Sequence, residues 1–388
     1  MLPFSSFDFF IIMAVFVIIM SLSKLLCKTR PNYFKYILFI LNAIFLTLVF
    51  PKPIHFILFI LYSYIATYLL TDIFKIKNKI WGIIILILPM LFVKFDIRFS
   101  SYPFILNDII SFAGLSYASF RIVGYFMDKI PNEKMADGVT YFNFLAFTPT
   151  ILIGPIDRYS RFKISQEEGF SAINCETFLS GWIFLVKGIV FKYIIAELIS
   201  RYWLDISLSS IPKIISSISE MYAYYAYLFF DFGGYSLMAL GIGKMLGMRV
   251  PINFKNPFTS VNPQDFWRKF HISLGDWLKD YFFTPLYMFF SRQKKLKKHP
   301  MFRQNISLII TFLLMGCWNG FQSNYIISGL LFGIYSAIHN TYIIQCKKKG
   351  KDVVFGNLNP KIVKGISIFI MINAVSFSLY IFSGRFQL

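Results

Sequence analysis

The chain has 388 residues, of which 56% are hydrophobic and 20% aromatic, with 39 Lys and Arg against 19 Asp and Glu and a formal net charge of +20. That apolar content excludes a soluble globular protein of this length and defines an all-α, polytopic integral membrane protein, a single membrane domain over residues 1–388. The basic balance does not imply nucleic acid, because loops carry the charge rather than a soluble basic domain; it sets topology and draws the chain to anionic membrane lipids.

Apolar runs predict spans near residues 8–26, 33–50, 54–71, 81–95, 103–127, 177–199, 222–246, 305–318, 325–345 and 362–383, ten in all. The first run lacks a basic leader and a small-residue cleavage site, so it is expected to stay as an anchor. Lys24, Lys28, Arg30 and Lys35 follow it while only Asp8 precedes it, which places the N-terminus outside and the first loop in the cytosol. Lys75, Lys77 and Lys79, two spans on, agree. These N-terminal spans occupy residues 1–100, and the last run forms a C-terminal span at 362–383.

Between them, residues 139–156 are apolar but carry Pro149, Gly154 and Pro155, which predicts a re-entrant or kinked element covered by protein or lining a cavity. Asp157 and Arg158 are expected to fix its end. Asp231 lies in an apolar run and needs a basic partner, expected from the polar segment that follows; a structural ion pair and a chemical role are both open. Gly233 and Gly234 read as positions of close helix packing.

From Lys244 to Arg303 there are 12 Lys or Arg against 3 Asp or Glu, so this segment is expected to face the cytosol or enter from it. Within it, residues 263–281 predict one amphipathic helix. Asn262 suits the N-cap, Pro263 the first helical position, and Asp265 a reach back in the manner of a capping box. Phe266, Phe270, Leu274, Trp277 and Tyr281 form an apolar stripe, with Arg268, Lys269, Asp276, Lys279 and Asp280 off it. His271 lies inside this helix, and a proton-transferring group in such a setting is a functional-site candidate. The basic run Lys294–Lys298 reads as a solvated loop, with docking to anionic lipid or an acidic protein as the sharper alternative. Gly316–Gly320 reads as a tight turn between two spans. His55 and His299 adjoin prolines in expected loops, and Cys317 reads as an apolar filler rather than a nucleophile. Cys27, Cys175, Cys317 and Cys346 show neither a disulfide pattern nor metal-ligand spacing.

Four segments, taken in order, resemble the membrane-bound O-acyltransferase family: Gly114–Arg121; Phe147–Tyr159; Leu228–Ser236, which reads Leu-Phe-Phe-Asp-Phe-Gly-Gly-Tyr-Ser; and Asn253–Tyr281. The resemblance covers roughly residues 110–335 and is strongest to the branch that D-alanylates teichoic acids, with the branch that acetylates exported polysaccharides as the rival. It implies a core over 105–345 in which a ring of tilted helices surrounds a funnel and a central tunnel. It also implies an acyl donor held as a phosphopantetheine thioester on an acidic cytosolic carrier protein, an envelope-polymer hydroxyl as acceptor, no bound cofactor or metal, and residence in the bacterial inner membrane.

The same resemblance assigns catalysis to His271 and to the position of Asn319, with Trp267, Trp318, Asp231, Tyr235 and Ser273 lining or supporting the tunnel. Where the family carries Trp-His-Gly, this chain reads Trp318-Asn319-Gly320. An amide cannot take the acceptor's proton as imidazole can, although it can donate a hydrogen bond to an oxyanion. Three readings are open: His271 is the base and Asn319 the oxyanion donor; the protein is a weakly active or inactive homologue with a binding or transport role; or His339 supplies the imidazole, although it is 20 residues beyond Asn319.

Overall fold

The computed structural model describes residues 4, 6–26, 32–76, 79–99, 114–130, 133–204, 212–350 and 359–386. Cys27, Lys28, Arg30, Lys77 and the first part of the expected 103–127 span lie outside these residues. Among the described residues regular structure is helical, apart from one isolated bridge. The longer helices are α1 (Phe7–Leu26), α2 (Tyr33–Val49), α3 (Pro53–Tyr68), α4 (Lys79–Phe99), α5 (Leu115–Asp128), α6 (Gly138–Ala146), α7 (Tyr159–Glu167), α8 (Cys175–Ile189) and α9 (Lys213–Met245). They are followed by α10 (Pro263–Trp267), α11 (Ile272–Leu278), α12 (Thr284–Arg292), α13 (Pro300–Asn319), α14 (Ser323–Lys348) and α15 (Pro360–Phe382). Every expected span coincides with one of these or overlaps it. Among the described residues five helices are long and apolar enough to cross a membrane: α1, α3 with its π-helical extension to Ile73, α13, α14 and α15. The chain is therefore a multi-pass membrane protein.

The residues group into two compact units, the first being 1–189 with 234–252 and the second 190–233 with 253–388. In the first unit, the proline-bearing stretch is a broken helix. Asp137 opens α6 by accepting from the Thr140 amide at 3.2 Å. The helix ends at Ala146, and a single 3-10 turn, Thr148–Thr150, carries Pro149, whose ring and missing N–H bar continuation of an α-helix. The carbonyls left over at that end are taken by the guanidinium of Arg121 from α5. Its Nη1 donates to Phe144 O and Leu145 O at 3.3 and 3.0 Å, and its Nη2 donates to Thr150 O. Arg121 is fully buried, so it can meet these acceptors without competition from water. Asp157 then fixes the far end, accepting from the Arg158 amide at 2.7 Å and from Arg161 Nε at 2.6 Å, as expected of it.

A buried amide network joins the same region to α2 and α7. Asn42 Nδ2 donates to Asn143 Oδ1 at 3.1 Å, Asn143 Nδ2 donates to Gln166 Oε1 at 2.9 Å, and the Thr148 amide donates to Asn42 Oδ1 at 3.1 Å. Where lipid removes the hydrophobic incentive for helices to associate, such bonds and close backbone approach take its place. The approach is seen between α8 and the end of α9. A Cβ on Gly188 would lie 2.6 Å from Gly234 O, and a Cβ on Gly241 would lie 2.6 Å from Gly181 O. Both helices thus present glycines seven residues apart, one pair facing the other.

In the second unit, α13 and α14 form an antiparallel hairpin joined by residues 320–322; the turn expected at Gly316–Gly320 comes later, because residues 316–319 are still part of α13. A Cβ on Gly316 or Gly329 would fall 2.5 Å from the Tyr325 or Phe312 carbonyl oxygen. Phe312 and Phe332 from this hairpin pack with Tyr225, Phe266, Phe270, Met371, Val375 and Leu379 into one buried cluster. His55, expected in a loop, is instead the third residue of α3, because Pro53 starts that helix.

Of the two glycines singled out in sequence, Gly234 is a close-packing position, whereas a Cβ on Gly233 would meet only Phe254 at 4.0 Å. Thermal unfolding of the detergent-solubilised protein therefore should separate two changes. Gly241→Ala forces a clash with backbone and is expected to destabilise by about 1–3 kcal/mol, while Gly233→Ala is expected to be neutral or stabilising by up to about 1 kcal/mol.

Candidate active site

The segment expected to be one helix over 263–281 is two helices with a bend between them. Asn262 caps α10 as predicted, accepting from the Asp265 amide at 2.8 Å, and Asp265 Oδ2 reaches back to the Val261 amide at 3.1 Å. After Trp267 the chain leaves the helix. His271, at φ 49° and ψ 49°, is in the left-handed region and starts α11. The apolar stripe survives the bend, since Phe266, Phe270, Leu274, Trp277 and Tyr281 are all buried. The periodicity is thus right and the continuity wrong: the backbone groups that a single helix would pair locally are paired instead with residues 253–255. The Ile272 amide donates to Asn253 O at 3.0 Å, and the Lys255 amide donates to Lys269 O at 2.8 Å, around an antiparallel bridge between Phe254 and Phe270. A π-helical segment, Lys279–Phe283, follows α11.

Asn253 completes the bend with its side chain. Its Oδ1 accepts from the Ser273 amide at 3.2 Å and from Ser273 Oγ at 2.9 Å, and lies 3.2 Å from His271 Nδ1. A backbone amide can only donate, so it is the oxygen of Asn253 that faces this turn. His271 Nδ1 must then carry the proton, and Nε2 is left with its lone pair. This is the arrangement of a general base held in one tautomer by an oriented side chain. The imidazole also meets the Phe232 ring edge-to-face, with centroids 4.7 Å apart. Desolvation by burial lowers the His271 pKa below its ordinary 6.5, favouring the neutral form.

Of the other expected site residues, Ser273 is buried and belongs to the Asn253 cluster. Trp267 packs on Phe312 and Phe332, each at 5.1 Å between centroids, and its indole N–H is buried with no acceptor among the described residues. Asp231 is ion-paired to Lys192, in the π-helical stretch Val190–Ala196, so its partner comes from an apolar run rather than from the polar segment anticipated. Tyr235 belongs to the first unit, where it is buried with its ring 4.6 Å from that of Phe4. Trp318 and Asn319 end α13. Asn319 is exposed, and its Nδ2 donates to Met315 O one turn back at 2.9 Å. No hydrogen bond or ring contact joins Asn319 to His271 among the described residues. Asn319 lies seven residues beyond Phe312, which is about 10 Å further along the axis than the point where Trp267 packs. His339 is 16 residues into α14, about 24 Å from its start, with its ring stacked on Tyr342; the hairpin carries it away from the Asn319 end. Among the described residues there is no cluster of groups suited to hold a metal.

Sequence reasoning missed Asn253 and Lys192. Asn253 is a polar residue in a loop 18 positions before His271, and no spacing rule links the two. Lys192 could have been found, since a lysine inside the apolar run Val190–Phe191–Lys192–Tyr193 requires a partner as much as Asp231 does.

A multi-pass helical fold with a single oriented imidazole on a bent, partly polar segment suits proton removal from an alcohol beside a membrane. The chain belongs to the membrane-bound O-acyltransferase family, whose model matches residues 128–382. Within that family it is similar to the teichoic acid D-alanyltransferase of Bacillus subtilis, with 31% identity covering 99% of this chain and 98% of that one. It is also similar to the peptidoglycan O-acetyltransferase of Helicobacter pylori (29%, covering 71% of this chain and 54% of that one) and to a probable alginate O-acetylase of Pseudomonas aeruginosa (30%, covering 62% and 45%).

The left-handed backbone at His271 has a measurable consequence. A residue with a Cβ is strained there by about 1–2 kcal/mol, so His271→Gly is expected to unfold at higher temperature than His271→Ala, although both remove the imidazole. Equal melting temperatures for the two variants would show that the strain is absent.

Proposed function

We propose that this protein transfers a D-alanyl group from a thioester on a cytosolic carrier protein to a hydroxyl of a cell-envelope polymer, with His271 as general base. The reading rests chiefly on the extent of similarity: the chain aligns end to end with a D-alanyltransferase, while it spans only about half the length of the O-acetylases it matches. The oriented imidazole supports it. In the proposed reaction the acceptor oxygen attacks the thioester carbonyl carbon as His271 Nε2 takes the hydroxyl proton. The carbon–sulfur bond then breaks, and the departing thiolate receives that proton, leaving an oxygen ester and a free thiol. The developing oxyanion needs donors. Asn319 keeps one amide N–H beyond the bond to Met315, and the Trp267 indole N–H, with no acceptor among the described residues, is a second candidate. The excess of cations between Lys244 and Arg303 suits an acidic carrier on the cytosolic side of a bacterial cell membrane.

One specific observation favours a second reading, a homologue without catalysis. The position of the family's Trp-His-Gly histidine is occupied by Asn319, exposed and without contact to His271. Ester-linked D-alanine and acetate on the envelope should be quantified in cells expressing the wild type, His271→Ala and Asn319→His. Loss of D-alanyl ester in the first variant supports the proposal. Ester that appears only in the second indicates a disabled enzyme, acetate in place of D-alanine overturns the substrate, and indifference to both supports the non-catalytic reading.

The acid limb of the rate profile offers an independent test. Because burial lowers the His271 pKa, the base is already neutral at pH 7 and stays so as the pH falls through 6.5. Single-turnover transfer is therefore expected to be flat from pH 7.5 to about 6. Asn253→Asp places a carboxylate against Nδ1, which raises the imidazole pKa and should move the loss of activity to higher pH. A wild-type limb centred at 6.5 would contradict a desolvated base.

A further inference from the structure

In the first unit, α3 and α4 are both fastened to α5, and a groove remains between the two. Asp72, in the π-helical turns Leu69–Ile73 that extend α3, pairs with Lys129 at the end of α5 at 3.2 Å. α4 approaches α5 so closely that a Cβ on Gly82 would overlap the Phe126 ring, and Lys79 at its start donates to Met127 O. Tyr62 Oη reaches across from α3 to donate to Ile85 O of α4. Beside that bond lies a cavity of about 390 Å³, lined by these two residues and by Ile65, Ala66, Leu69, Leu70 and Phe74. Ala66 and Leu70 are buried and form its floor, whereas Ile65, Leu69, Phe74 and Ile85 are exposed along it.

The place of the groove and its chemistry select the occupant. α3 is one of the helices long and apolar enough to cross a membrane, and the groove continues its exposed apolar face, which runs through Ile54, Ile57, Leu58 and Leu61 to Ile65 and Leu69. Such a face meets lipid chains. Of the lining residues only Tyr62 has a polar side-chain atom, and that atom is spent on Ile85 O, so water entering the groove would find nothing to bind. Size then decides between a lipid chain and a helix. From Tyr62 to Phe74 the axis rises about 18 Å, over which the cavity has a mean cross-section of about 20 Å². A helix about 10 Å across needs about 80 Å². A spanning helix of a partner or of a second copy is therefore too wide, and a single hydrocarbon chain is not. Open bilayer is as apolar as the groove, so the preference for the groove comes from packing: a fixed lining supplies dispersion contacts that fluid neighbours supply less densely.

We propose that the groove between α3 and α4 is a binding site for one acyl chain of a membrane phospholipid, held by shape and indifferent to the head group. It draws on no residue of the acyl-transfer reading, so either can fail alone.

The test uses the full chain in nanodiscs containing a phospholipid with a diazirine midway along one acyl chain, phosphatidylcholine and phosphatidylglycerol forming separate arms. After illumination, adducts are mapped by peptide mass spectrometry. Labelling at Ile65, Leu69 and Ile85 is expected to exceed that at Ile40 of α2 and Ile54 of α3 about fivefold, equally for both head groups. Those two controls are about as exposed as Ile65. Ala66→Phe fills the groove from its floor and is expected to bring the labelling of Ile65 and Ile85 down to the control level. Leu69→Trp fills it from the exposed side and answers the same question if the first variant does not fold. Labelling no greater than at the controls overturns the proposal, as does labelling unchanged in both variants or confined to one head group. Residues 100–113 lie outside those described. Cross-links from a photoreactive amino acid at position 69 to that segment, in place of lipid, would show that the chain itself fills the groove, and the proposal falls with that result too.

Discussion

One carbonyl oxygen, Oδ1 of Asn253, holds the candidate active site together. The bend at residues 268–271 takes the Ile272 and Ser273 amides out of helical pairing, and at a buried position each such group is unfavourable by several kcal/mol if left alone. The Asn253 backbone takes one, and its side chain takes the other together with the Ser273 hydroxyl and the His271 ring. Because the same atom that repairs the backbone also binds the imidazole, the conformation of the chain and the protonation pattern of His271 are set by a single contact. A histidine on an unbroken helix would have no such partner fixed opposite Nδ1.

The first unit solves the converse problem. There a broken helix leaves carbonyls over, and a buried cation, Arg121, supplies donors for them. At the His271 bend a broken helix leaves amides over, and a buried amide oxygen accepts from them. In both cases the irregular stretch is packed within protein, and in both the repairing residue comes from a different segment. At each break the side chain of a distant residue pairs backbone groups that the helix leaves over, and the apolar stripe on either side of His271 remains buried.

These replacements also mark where sequence reasoning stops. Hydropathy located the helices, because a span must be apolar over its whole length and that requirement is written residue by residue. Prolines located the first break, since Pro149 forbids helix by its own covalent structure. The second break has no such marker. Phe266, Phe270 and Leu274 keep helical spacing on both sides of it, so a periodicity rule reports continuity, and the bonds that stabilise the bend come from Asn253, which lies 18 residues upstream. The pairing of Asp231 with Lys192 is intermediate. The need for a partner is plain from either residue alone, but which cation meets which anion depends on the side of α9 that faces the π-helical stretch, and that is a tertiary fact.

The substitution at Asn319 bears on the proposed reaction through what an amide can offer. Its Nδ2 already donates to Met315 O, which turns the group back along α13 and leaves one N–H and one oxygen outward. It can stabilise negative charge and cannot accept a proton at neutral pH, so if transfer occurs the proton must go elsewhere. His339 stands far along α14 and is badly placed to take that role. His271 is the imidazole that remains, and its Nε2 lone pair is exposed to use by the hydrogen bond on the opposite nitrogen. The proposed chemistry therefore requires substrate to bridge the distance between the His271 bend and the end of α13, with the hydroxyl near the former. Trp267, whose N–H lies buried on the α10 side of the bend without an acceptor among the described residues, offers an oxyanion donor that would shorten that distance and make catalysis independent of Asn319.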